Sequence, residues 1–185
     1  MAGTGESERR GFPWRLLGWG TAAALLLLPM VAMQFTDEVN WGPFDFVFAG
    51  VLFGSVGLAF ELTVRTSDNK AFRGGVAVTL AAAFLTVWVN AAVGMIGDED
   101  NPYNLLFLGV IVVALFGAII ARFRPAGMAL ASLVAAVAQA GLGAAGLATD
   151  LRGGIFSTGF ALLWLLAAAL FREAAAAERK TDSAA

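Results

Sequence analysis

Six apolar runs, each about twenty residues long, follow one another along the chain, separated by short clusters of charged, amide, Gly and Pro residues. They lie near Leu16–Phe35, Phe44–Val64, Gly74–Ile96, Tyr103–Ala121, Gly127–Ala148 and Ile155–Phe171. A helix crossing the hydrocarbon core of a bilayer needs about 20 mostly apolar residues, so each run is predicted to be one membrane-spanning helix. The sixth is the shortest, but "FALLWLLAAALF" carries no charge and reads as spanning. The first has Arg9, Arg10 and Arg15 ahead of it, as a signal peptide would. Its apolar run is too long for that, and "PMVAMQFTDE" is a weak cleavage match, so it reads as a retained helix. The expected architecture is an all-α, polytopic transmembrane bundle. Residues 1–15 form an N-terminal tail, 16–171 a single six-helix domain and 172–185 a C-terminal tail.

The polar clusters orient this bundle. Lys and Arg favour the cytoplasmic side of a membrane. Arg9, Arg10 and Arg15 precede the first run; Arg65, Lys70 and Arg73 separate the second from the third. Arg122 and Arg124 separate the fourth from the fifth, and Arg172, Arg179 and Lys180 follow the sixth. Arg152 alone among the twelve basic residues falls on the other side. Both termini are therefore expected in the cytoplasm, with the helices paired through short outer loops: first with second, third with fourth, fifth with sixth. The outer loops are acidic, with Asp37, Glu38 and Asp45 in one, Asp98, Glu99 and Asp100 in the next, and Asp150 in the last.

Composition agrees with the pattern. The 185 residues are 59% hydrophobic and 14% charged, with mean hydropathy +0.77, whereas soluble domains are about 45–50% apolar and about 25% charged. There is no Cys and no His, which removes disulfides, Cys/His zinc sites, His-ligated haem and any His-based triad. A net charge of −2 leaves no footprint for nucleic acid.

Within the runs, small residues prepare close helix contacts. Gly50, Gly54 and Gly57 fall at i, i+4, i+7, and Ala136, Ala140 and Gly143 repeat that spacing in the fifth run. Pro29 interrupts the first. "PFDFVFAGV" from Pro43 lines up with "PYNLLFLGV" from Pro102, and Arg65 with Arg124 at the same offset. A parallel duplication and convergence on helix-start chemistry both account for it.

Polar residues inside or beside the spans are the functional candidates. Glu61 with Arg65 at i+4 is an intramembrane charge pair that can snorkel to the interface. Gln139 stands alone in mid-span and suits an interhelical hydrogen bond. Asn90 lies in the outer half of the third span, with Gly94 and Gly97 expected on its helical face. Gln34, Asp45 and Asn104 are expected at similar depth. With Glu38, Asp98, Glu99 and Asp100 they could line a polar pocket open to the outer face; the other reading of Asn90 is a helix–helix clamp. Asn101 before Pro102 is a helix start, which explains the position of the acids; their number raises a divalent-cation site, without EF-hand spacing. No catalytic or metal set and no cofactor motif emerges.

"MQFTDEVNW", "LAFELTVR", "VWVNAAVGMIGDEDNPYNLLFLGV" and "ARFRPAGMA" resemble segments of an uncharacterised group of small polytopic inner-membrane proteins of bacteria, over roughly Pro29 to Met128. The resemblance implies a bacterial inner membrane and carries no activity with it. Two functions then fit: an accessory or interaction subunit with an acidic outer rim, partnered by another membrane protein or by itself, and a small transporter or solute-binding protein using the Asn90 pocket.

Overall fold

A computed structural model describes residues 14–183, and every regular element among them is helical. The elements are α1 (Trp14–Ala32), α2 (Pro43–Thr66), α3 (Lys70–Ala92), a 3₁₀ turn (Pro102–Asn104) leading into α4 (Leu105–Ile120), α5 (Pro125–Gly146), α6 (Leu151–Gly159) and α7 (Ala161–Asp182). Six helices are long and apolar enough to cross a membrane, α6 and α7 counting together as the sixth.

Two boundaries differ from the sequence pattern for physical reasons. The third helix was expected to run to Ile96 but ends at Ala92. Gly94 takes φ +77° and donates its N–H back to the Val89 carbonyl, the left-handed ending that glycine favours at helix C-termini. Gly94 and Gly97 are therefore loop residues and do not share a helical face with Asn90. The sixth helix was expected over Ile155–Phe171; it starts at Leu151 and continues to Asp182. It tightens at Phe160, where Leu163 N–H bonds to Phe160 O and the Thr158 hydroxyl donates back to Gly154 O, a side-chain bond of the kind that bends helices. Its 31-residue span, at about 1.5 Å rise per residue, reaches about 46 Å, beyond a hydrocarbon core of about 30 Å.

The chain divides into two compact units, Met1–Ala59 and Phe60–Ala185, with the boundary inside α2. In the first unit the glycine stripe is used for packing within the chain. The Trp19 indole rests on Gly57, close enough that an added Cβ would meet it at 3.0 Å, and Leu26 lies over Gly50. Pro29 lies inside α1.

The second unit is built around α5, which packs against α4, α6 and α7; α7 in turn packs on α3, whereas α3 and α4 meet sparingly although they are consecutive. Three core layers succeed one another along the unit. Val76, Met128, Ala167 and Phe171 belong to the first, Ala82, Val110, Ala135 and Trp164 to the second, and Met95, Ile96, Phe107 and Phe160 to the third. Small residues make these contacts possible: the Phe171 ring occupies the space a Cβ on Gly75 would take. Helix α4 shows the burial pattern plainly. Phe107, Val110, Ala114 and Ala118 form one buried stripe, while Leu106, Val113, Phe116 and Ile120 remain exposed. Apolar surface on that scale is not tolerated in water and suits lipid.

The α2–α3 turn is tied by Arg73. Its guanidinium donates to the carbonyls of Ser67 and Val64 and to the Asp68 carboxylate at 2.9 Å. Asn69 caps α3 by accepting from Phe72 N–H, and its amide donates to Ala174 O on α7 at 3.3 Å. The α2–α3 turn and the far part of α7 thus share one end of the second unit, where Arg65, Lys70, Arg73, Arg172 and Arg179 collect. The α3–α4 loop, with its three acids, and the start of α6 share the other end, joined by a bond from Gly97 N–H to Asp150.

Candidate functional site

The loop between α3 and α4 dips into the protein. Met95 and Ile96 are almost completely buried in the third core layer, so their backbone polar groups need partners in place of water. Asn104 supplies partners for both N–H groups. It is 4% exposed; its Oδ1 accepts from Met95 N–H at 3.1 Å and Ile96 N–H at 2.9 Å, and its Nδ2 donates to Asp98 O at 2.7 Å. Asn101 adds two bonds, accepting from Tyr103 N–H and donating to Ile96 O at 2.9 Å. The buried Ser157 hydroxyl reaches across from α6 to Met95 O at 2.9 Å. Gly97, at φ +71°, donates its N–H to Asp150 Oδ2 at 3.0 Å, while Asp150 Oδ1 accepts from Gly153 N–H to cap α6. Tyr103 closes the group with a bond from its hydroxyl to Leu142 O at 2.8 Å.

Asp150 is the electrostatic centre of this arrangement. The N–H of Gly153, then that of Gly97, hold its carboxyl below its ordinary pKa, against a smaller opposing push from burial. Because the folded value is depressed, the stabilisation it provides is complete above the unfolded carboxylate's pKa and is lost as pH falls through the folded one.

The sequence-derived candidates separate on this frame. Asn104 is spent on the loop backbone. Asn90 donates to Thr86 O on its own helix at 2.7 Å, and its Oδ1 is buried with no hydrogen-bond partner. Asp98, Glu99 and Asp100 are exposed at the loop tip, and among the described residues no three acidic side chains converge as a metal ion would require. Gln34, Glu38 and Asp45 belong to the first unit and are exposed there. Gln34 bonds back to Met30 O, Glu38 N–H to the Thr36 hydroxyl, and Asp45 accepts from Gly42 N–H at 2.8 Å. Glu61, 9% exposed, pairs with Arg65 at 2.6 Å, and the Arg65 side chain is 60% exposed. The two residues form the ion pair that their i, i+4 spacing allows.

Gln139 makes an interhelical bond to Ser157 O at 3.0 Å. Asp150, Ser157 and Tyr103 were not singled out from the sequence as partners of this loop. Asp150 ahead of "LRGG" carried the signal of an N-cap; the long-range ties of Ser157 and Tyr103 left no local mark. The chain matches no protein-family model, no curated protein and no solved structure.

Proposed function

We propose that this chain is a multi-pass protein of a bacterial inner membrane, with both termini cytoplasmic and successive helices joined by outer loops between the first and second, third and fourth, and fifth and sixth spans, acting as an accessory or interaction subunit that presents an acidic outer rim to a membrane partner. One observation carries the functional reading: the polar side chains around the α3–α4 loop are consumed in holding that loop, while Asp98, Glu99 and Asp100 stay exposed at its tip. A surface of fixed shape with outward charge is what recognition by a partner needs. The charge distribution supports the orientation, with basic residues at one end of the second unit and the acidic loop at the other.

A solute-binding or transport role is the second reading, and it draws on Asn90, whose buried Oδ1 has no partner. Purification in mild detergent with mass spectrometry of everything retained separates the two. The expected result is a stoichiometric membrane protein that is lost from the Asp98→Asn, Glu99→Gln, Asp100→Asn triple variant and kept by Asn90→Leu. A retained small solute that disappears with Asn90→Leu, with no protein partner, would overturn the interaction reading.

A further inference from the structure

At the basic end of the second unit, a groove runs between the start of α5 and the far half of α7. Two adjoining cavities of about 560 and 350 Å³ form it, sharing Ala126, Ala129 and Arg172. Its two ends differ in chemistry. Toward the middle of the span the walls are Leu130, Leu133 and Leu165 over small alanines. Toward the end of α7 they carry Arg172 and Arg179, with Glu173 opposing them, so two positive charges face one negative. All three of these charged residues are exposed, and neither arginine forms an ion pair among the described residues. Helix α5 begins here without a side-chain cap, which leaves the positive end of its dipole facing the groove. Immediately before it, Arg122 and Phe123 both hold positive φ, 52° and 56°, a conformation costly for side chains larger than glycine.

We propose that this groove binds one anionic phospholipid, its phosphate held by Arg172 and Arg179 beside the N-terminus of α5 and an acyl chain lying along Leu130, Leu133 and Leu165. The occupant follows from complementarity: a headgroup anion needs the arginines, and an acyl chain needs the apolar continuation into the span. Free phosphate would use the first part alone. The proposal rests on the chain being a membrane protein and is independent of the acidic rim, which lies at the opposite end of the unit.

Native mass spectrometry of the delipidated full chain tests it, titrating phosphatidylglycerol, phosphatidylcholine of the same acyl chains, and inorganic phosphate. Phosphatidylglycerol should bind in preference to phosphatidylcholine. Arg172→Gln with Arg179→Gln should weaken it by about fivefold per arginine. Ala169→Phe, which fills the apolar part of the groove, should weaken both lipids. Inorganic phosphate should fail to displace the lipid. If the double variant misfolds, Arg179→Gln alone, on an exposed turn, should still give about a fivefold loss. Equal binding of the two lipids would overturn the proposal, and so would unchanged phosphatidylglycerol binding in a well-folded arginine variant. Displacement by phosphate with no effect of Ala169→Phe would identify a free-anion site, and a dimer lost in the arginine variant without bound lipid would identify a second copy; each result also overturns it.

Discussion

Asn104 shows how much one buried amide can organise. Its side chain satisfies two N–H groups and one carbonyl of a loop whose apolar residues are buried. Replacement by Ala leaves the buried N–H groups of Met95 and Ile96 without a partner, while Asp98 O keeps the N–H of Asn101; each orphaned buried group costs about 1–3 kcal/mol. Asn104→Ala should therefore destabilise the protein by about 2–4 kcal/mol, measured by thermal or denaturant unfolding in detergent, with proteolysis appearing first between Val93 and Asn101. A loss below about 0.5 kcal/mol, the range of an ordinary surface substitution, would mean that the loop is held by its other ties. The sequence placed Asn104 among pocket-lining candidates because an amide at a helix start looks the same whether it faces a ligand or its own backbone. What decides between them is the path of the preceding loop, and that path depends on Gly94 leaving the helix.

Helices pack here by the smallness of their contact residues, and α5 against α6 shows it backbone to backbone. An added Cβ on Gly143 would lie 2.5 Å from the backbone nitrogen of Thr158, whereas one on Gly141 would meet nothing within 4 Å. Gly143→Ala should cost about 1–3 kcal/mol, the usual range for overpacking. Gly141→Ala should instead stabilise by about 0.5–1 kcal/mol through helix propensity alone. Equal effects of the two substitutions on unfolding would contradict the crossing described for α5 and α6. Six apolar runs were legible as six helices long and apolar enough to span a membrane, because length and hydrophobicity suffice for that inference, and Gly143 stood out by spacing. The packing order was not legible. That α7 contacts α3 and α5, while α3 and α4 barely meet, depends on side-chain volumes compared across helices, which no local periodicity encodes. The break at Phe160 was equally silent, since it arises from a hydroxyl bond within an unbroken apolar run.

For the whole molecule, the proposed orientation rests on eleven of twelve basic residues falling in or beyond the same alternating set of turns. Reporter fusions after Arg73, Arg124 and Ser183 should read cytoplasmic, and those after Glu38, Asp100 and Gly153 should read periplasmic. A periplasmic reading after Ser183 would require one fewer crossing and would remove the sidedness argument. Charge asymmetry of this kind does not depend on individual helix ends, because it asks only which loop each charge falls in. The candidate site had no such redundancy: ending α3 at Ala92 instead of Ile96 took Gly94 out of Asn90's helix and Gly97 off its expected face.

The loop between α3 and α4 also carries a consequence for the order of assembly. Gly97 waits for Asp150, 53 positions later, and Met95 waits for Ser157, 62 positions later. During synthesis, then, the third and fourth helices are made before two of the bonds that hold their connection can exist. The last helix thus fastens an earlier connection, and a nascent chain stopped short of Asp150 contains every residue of the loop and its asparagine ties but lacks these two.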